Sequence, residues 1–372
     1  MQAMRWREAI GAIVALFVVT RGALVLVAAF LERNIPLAYH GPTYSMTPIL
    51  SSLTGSDSVY LLGIAANGYH AEPITKGFLD WAFFPLYPIV TRLVSYLTFG
   101  DVSVAGVIVA NIAFVAALVV LYRLAVPYLG HDVAVRSLAF VALAPGAVAF
   151  AMAYTDSLFL LVAAGAFLAA EQRRWAWMGL LYGLASLTRF QGLLLGLPLL
   201  VILIQASGGW RTPRLAWLAA GPIAFAAFAA YMGATFGDPL GMLHAQRAWS
   251  DIGGAGTGPS STIPVLDNFD PIVILLVAVL VFYTALLLFR RVDRLPAPYT
   301  ALVIVTLLTV FLSVPLNNSL LQSVARYLAV GWPFAWILAN RKAAWFATAG
   351  PAAFGAVFVV FAVLNFTQTL AP

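Results

Sequence analysis

Cysteine is absent from all 372 residues. That excludes disulfide scaffolds, thiolate metal sites and cysteine nucleophiles. Charge is almost as scarce: Asp, Glu, Lys and Arg make up 9% of the chain, where a soluble domain carries about 25%. Such a chain cannot cover a water-facing surface. Histidine is rare and scattered, at His40, His70, His131 and His244, with no HExxH or other ligand spacing. Neither a metal nor any other cofactor is called for. Lysine is nearly missing, since only Lys76 and Lys342 break a basic set of arginines.

What is abundant is apolar. Hydrophobic types reach 62%, and mean hydropathy is +0.94. A lipid bilayer accommodates that excess where a water-soluble core cannot, so the chain reads as a polytopic integral membrane protein of the all-α class. The formal charge of +6 does not point to nucleic acid. Its arginines lie in short turns between apolar runs, where positive charge marks the cytoplasmic side.

A spanning helix needs about 20 apolar residues. The first run is Ala9 to Leu31, preceded by Arg5 and Arg7, and reads as a retained anchor with a cytoplasmic start. A long, Pro- and Gly-rich stretch over 32–82 follows, the first extracytoplasmic loop, and loops of that length are usually functional. Further runs fall near 83–99, 102–123, 135–151, 157–171, 175–188, 190–205, 214–235, 272–289, 298–314, 326–340 and 343–366. Basic turns occur at 123–136, 173–174, 211–214, 290–294 and 341–342. Every one of them falls inside only if Phe83 to Phe99 does not cross, so that segment is expected to be re-entrant or interfacial. The expectation is a bundle of about eleven transmembrane helices. It forms a single domain over 1–372, with a second large outer loop over 237–271.

The polar residues outside the basic turns collect on the expected outer side: Asp57, Asp80, Asp156, Arg189, Asp238, His244, Arg247, Asp251 and Arg326. Ionisable groups at membrane depth are costly and tend to mark function. Each also has a plainer reading. Asp57 and Asp156 can be helix caps, Arg189 and Arg326 can reach for headgroups, and His244 can be an exposed loop histidine. Arg21 lies mid-span and is expected to pair with an acid or an anionic ligand.

Several strings together resemble a known family. Asp57-Ser58-Val59-Tyr60-Leu61, continuing to Ile64-Ala65-Ala66-Asn67-Gly68-Tyr69, is similar to its first-loop segment. Phe83-Phe84-Pro85-Leu86-Tyr87-Pro88, Tyr154-Thr155-Asp156-Ser157-Leu158-Phe159 and Leu187-Thr188-Arg189 with Gly192 follow. Gly237-Asp238-Pro239-Leu240 with His244-Ala245-Gln246, and then Arg326-Tyr327-Leu328, complete the order. The family is the phosphatidylinositol-glycan class V-like mannosyltransferases of the GT-C superfamily. The departures are Ser56 and Val59 where the family has Trp, Asp156 where it has Glu, and Phe190 where it has Pro.

The resemblance implies a GT-C-like bundle that takes a sugar, usually mannose, from a polyprenyl-phosphate carrier. It implies a glycolipid or glycan hydroxyl as acceptor, with no nucleic acid involved. It places the catalytic carboxylate at Asp57, as general base of an inverting transfer. Arg189, Arg326, His244, Gln246 and the weaker candidate Arg21 would hold donor phosphate or sugar, supported by Tyr60, Tyr69, Asp156 and Tyr87. The Phe83 to Pro88 element would line the lipid groove. The Ala and Arg richness suggests a high-GC bacterial source, hence the inner membrane with the site on its outer face. Two rivals share the outward charged site: a flippase or transporter, though transporters often show two related halves and none is evident here, and a glycan polymerase or ligase. A purely structural membrane protein is a third.

Overall fold

The computed structural model describes residues 2–34, 48–71, 80–245, 279, 295–313, 324–340 and 349–367, and every regular element among them is helical. The first helix, α1 (Gln2–Asn34), is about 50 Å long at 1.5 Å per residue. Two short helices, α2 (Pro48–Leu53) and α3 (Ser58–Asn67), lie inside the first long loop. Five helical segments among the described residues are long and apolar enough to cross a bilayer: Met4–Asn34, Val102–Leu129, Phe190–Ser207, Pro213–Phe236 and Ala349–Phe366. The protein is an integral membrane protein. The expected run at 272–289 lies, but for the buried helical Val279, outside the described residues.

The Phe83–Phe99 run forms α4 (Leu86–Ser95) and a single 3₁₀ turn, Tyr96–Thr98. Ten residues cover about 15 Å, half of a hydrocarbon core. Tyr87, Pro88, Thr91 and Ser95 are buried, while Ile89, Leu93, Tyr96, Leu97 and Phe99 are exposed. The helix therefore shows its apolar face outward, as a lipid-facing element does.

The next helix, α5 (Val102–Leu129), is capped by Asp101, whose Oδ1 accepts the Ser103 and Val104 amides at 2.9 and 3.0 Å. The run expected over 135–151 is cut in two. A helix, α6 (His131–Ala142), stops short, and a wholly buried 3₁₀ turn, Ala147–Phe150, follows. Pro145 is the physical reason, since it lacks an amide donor and disfavours helix at the residue before it. The chain then enters α7 (Asp156–Glu171).

The hairpin expected near 188–192 is present. It joins α8 (Trp175–Ser186) to α9 (Phe190–Leu194) and α10 (Gly196–Ser207). The 3₁₀ segment Pro213–Ala219 leads into α11 (Ala220–Phe236). The later helices are α12 (Ala297–Ser313), α13 (Val324–Ala329), α14 (Pro333–Ala339) and α15 (Ala349–Phe366).

The ends of the bundle differ. At one end the basic turns meet. Arg123 lies over Trp6 at 5.1 Å, His131 pairs with Glu8 at 3.1 Å, and Arg214 lies over Trp175 at 5.6 Å. There the Tyr128 and Tyr299 hydroxyls donate to Glu171, the last residue of α7, at 2.7 and 3.2 Å. At the opposite end, about 24 Å along α7, begin the residues of the next section.

Candidate functional site

Four chain segments converge at the start of α7. Asp57 precedes α3, Asp156 opens α7, Arg189 joins α8 to α9, and Arg326 lies in α13. Their side chains form a row of alternating charge. The Arg326 Nη1 donates to Asp57 Oδ2 at 2.9 Å, and its Nε lies 3.5 Å from Asp156 Oδ1. The Arg189 Nη1 donates to that same Asp156 oxygen. Tyr327 lies beneath both cations, 5.0 Å from the Arg189 guanidinium and 5.7 Å from that of Arg326. Tyr154 stacks on Arg326 at 5.2 Å.

Neither carboxylate acts as the helix cap that its sequence context allows. Asp57 and the N-cap of α7, Thr155, both have helical backbone angles and make no side-chain cap bond. Their acids are drawn instead to the arginines, because a buried charge needs a partner more than a helix end needs a cap. Asp156 is fully buried, while the Asp57 side chain is 24% exposed. The chain ahead of Asp57 is strained: Ser56 has φ +55°, a left-handed conformation costing about 1–2 kcal/mol outside glycine.

Backbone contacts hold the row in place. The Ala153 amide donates to Leu53 O at 2.8 Å, tying the lead-in of α7 to the end of α2. The Tyr154 hydroxyl donates to Gly55 O at 3.4 Å. Burial, with the Asp57 charge added, raises the Tyr154 phenol well above its ordinary range, so it stays neutral. Two glycines let backbone meet backbone. A Cβ on Gly146 would lie 2.2 Å from Ala325 O and 2.4 Å from Arg326 N. One on Gly192 would lie 2.0 Å from Ala185 O and 2.6 Å from Ser186 N.

The row opens at Arg189 on a small, mainly apolar cavity. Phe159, Leu195, Leu302, Val305, Val330 and Trp332 make most of its wall, with Arg189 and Tyr327 at the charged end and Thr306 and Thr309 on α12. The Phe83 to Pro88 element, expected to line the lipid groove, is not part of this wall. It packs elsewhere: Phe83 stacks on Tyr60 at 5.4 Å, and Phe84 meets Phe225 and Phe228.

Other expected site residues stand apart. Among the described residues Arg21 meets no acid. Its Nε and Nη2 donate to Asn111 Oδ1 and Phe150 O, both at 2.7 Å, and its guanidinium lies over Phe114 at 4.5 Å. That ties α1 to α5 and to the broken segment after α6. The Tyr87 hydroxyl donates to Gly106 O at 2.8 Å and locks α4 onto α5. The Tyr69 hydroxyl donates to Phe83 O at 2.8 Å. His244 pairs with Asp238 at 2.7 Å and is about half exposed. Asp80 accepts both the His70 amide and its ring Nδ1 at 2.9 Å, forming the corner that ends the first loop. Gln246, Arg247 and Asp251 lie outside the described residues.

Sequence reasoning overlooked Tyr327, Gly146 and the α12 wall. The Arg-Tyr-Leu string held the first, and Pro145-Gly146 inside an apolar run signalled the second. On α12 the only trace was Thr306 and Thr309, spaced one helical turn apart in an otherwise apolar stretch. Among the described residues no group of three or more His, Asp or Glu could hold a metal ion.

Comparison with known proteins bears on this site. Residues 83–232 match the family model described as dolichyl-phosphate-mannose-protein mannosyltransferase, a stretch that contains Asp156 and Arg189 and is less than half of the chain. No curated protein matches. Solved structures of the oligosaccharyltransferase of the archaeon Archaeoglobus fulgidus are similar in fold. The complex with zinc and sulfate is 16% identical with a TM-score of 0.45, over 94% of this chain and 53% of that one. The form tethered to an acceptor peptide is 15% identical with a TM-score of 0.47, over 95% and 55%. The complex of oligosaccharyltransferase AglB with an inhibitory peptide and a dolichol-phosphate is 13% identical with a TM-score of 0.48, over 96% and 56%. The chain thus spans about half the length of these proteins, and its matched stretch resembles membrane mannosyltransferases.

Proposed function

We propose that this protein is an inverting membrane glycosyltransferase of the GT-C type. It moves a single sugar, mannose, from a polyprenyl phosphate to a hydroxyl of a glycolipid or glycan at the outer face of a bacterial inner membrane. The observation that carries the reading is the row Asp57–Arg326–Asp156–Arg189, which runs from a partly exposed carboxylate to the charged end of an apolar cavity. The family-model match over 83–232 supports the same chemistry. The narrower likeness to the class V-like enzymes rests on the motif order.

In this reading the polyprenyl chain occupies the apolar cavity and its phosphate meets Arg189 and Arg326. Guanidinium suits that task, since it offers two parallel donors to a phosphate. The acceptor oxygen attacks the anomeric carbon opposite the phosphate, and its proton passes to Asp57. The carbon–oxygen bond to phosphate breaks, and its electron pair leaves on the phosphate oxygen. The transition state has oxocarbenium character, as in glycoside hydrolysis, so the Asp57 charge also favours it. Asp57 is the only carboxylate of the row with appreciable exposure, and general-base catalysis is worth about 10²–10⁴ in rate.

The test is sugar transfer in nanodiscs from labelled polyprenyl-phosphate-mannose to a membrane lipid extract, comparing wild type with Asp57→Asn. Labelling of a product by wild type, and a loss of about 10²–10⁴ in rate for a folded Asn variant, is the expected result. Equal labelling by both would remove Asp57 from catalysis. Failure of the wild type with every polyprenyl-linked sugar would move the flippase or transporter reading ahead.

A further inference from the structure

Asp156 does something the transfer reaction alone does not require. It is fully buried, yet one of its oxygens is shared by both arginines, while among the described residues nothing hydrogen-bonds Oδ2. A carboxylate paired for stability alone would use both oxygens, because an unsatisfied buried acceptor costs about 1–3 kcal/mol. An anion that must let go is better held by one. Asp156 also sits in the first turn of α7, where a helix N-terminus favours negative charge. It therefore keeps a favourable field when its arginines turn away.

We propose that Asp156 is a built-in competitor for the phosphate. It holds Arg189 and Arg326 together over Tyr327, yields them to the phosphate of the polyprenyl donor, and reclaims them as the polyprenyl phosphate product leaves. This rests on the reading of Arg189 and Arg326 as phosphate-binding groups and adds how the site is emptied. Asp156 acts through the arginines, so it is a positioning residue. The competition has a sign that a structural role lacks. Removing the charge strengthens phosphate binding and slows turnover, because the product is no longer displaced and the two cations lose their common anchor.

The experiment compares wild type, Asp156→Asn and Asp156→Glu in nanodiscs, each checked by thermal unfolding. Direct binding of farnesyl phosphate is measured alongside steady-state mannosyl transfer. The expected Asn variant binds farnesyl phosphate about tenfold tighter, as removal of a repelling charge allows. Its donor KM falls and its kcat falls by about tenfold or more. The Glu variant, which keeps the charge, stays within a few-fold of wild type on both measures. Equal binding by wild type and the Asn variant overturns this inference alone, as does a Glu variant as impaired as Asn. If the Asn variant does not fold, the Glu variant decides alone: farnesyl phosphate binding and kcat within a few-fold of wild type are expected, and a change of about tenfold in either overturns the inference. A wild type that binds no farnesyl phosphate overturns the transferase reading, and this inference with it.

Discussion

Arg326 has two tasks in the row, holding Asp57 at 2.9 Å and facing Asp156 through its Nε. Lysine retains the charge but not two donors at fixed separation. Arg326→Lys is therefore expected to lower kcat/KM by about tenfold or more, with donor KM raised, measured in the same transfer assay. Arg21 gives the contrasting case. Its bonds go to an amide and a carbonyl oxygen, not to the row. Arg21→Met leaves Phe150 O and Asn111 Oδ1 without those donors, and is expected to cost about 1–3 kcal/mol of stability without changing donor KM. Thermal unfolding and transfer kinetics check the two halves of that statement. Both arginines stood out in the sequence as cations in apolar runs, and the Arg-Tyr-Leu string already made Arg326 the stronger candidate and Arg21 the weaker one. The difference lies in which residues face them from distant segments, Asn111 and Phe150 for one, Asp57 and Asp156 for the other. For the same reason residue pattern favoured the cap reading for Asp57 and Asp156, and only the family resemblance marked Asp57 as a site acid.

Elements are placed here by breaks in helices more than by the helices themselves. The chain leaves α6 at Ala142 and re-forms at Asp156, and the intervening turn lets Gly146 touch the backbone of Ala325 and Arg326. The corner between α8 and α9 has Gly192 against Ala185 and Ser186, with Arg189 extended between them. Gly146→Ala and Gly192→Ala are each expected to reduce transfer by about tenfold or more, since small displacements of positioned groups are costly, though neither glycine belongs to the charged row. A folded variant with wild-type kinetics would show that the corner tolerates a shift. The apolar runs at 102–123, 157–171 and 175–188 and the tight turn at 188–192 were legible because periodic apolar length dominates a membrane sequence. The interruption of 135–151 was missed because Pro145 was passed over as one residue in an apolar run. The short α4 was legible through the parity of the basic turns.

At the scale of the whole molecule, the described residues separate their charge by end. Arg123 and Arg214, with Glu8 and Glu171, make their contacts at one end of the bundle, and the alternating row lies about 24 Å away at the other. Between them the cavity wall is made mainly of apolar side chains, and under the proposed reading that wall recognises the donor's hydrocarbon while the arginines recognise its phosphate. Each buried methylene is worth about 0.8 kcal/mol. Shortening the polyprenyl chain of the donor is therefore expected to raise KM steeply until the cavity is no longer filled. Further lengthening is expected to have little effect, and a chain-length series in the transfer assay measures both limbs. The cavity itself was not legible, because its wall comes from α7, the chain from Arg189 to Leu195, α12, and α13 with the segment after it, which no local pattern brings together.

The row also draws its members from positions 57, 156, 189 and 326, so it is assembled in the order in which the chain is made. Asp156 and Arg189 emerge close together, but Asp57 waits for Arg326, 269 residues behind it. A chain interrupted during synthesis between Arg189 and α13 has Asp57, Asp156 and Arg189 but not Arg326, and the row stays open. Polypeptides are made from the N-terminus, so the last contact formed is the one that joins the two ends of the row.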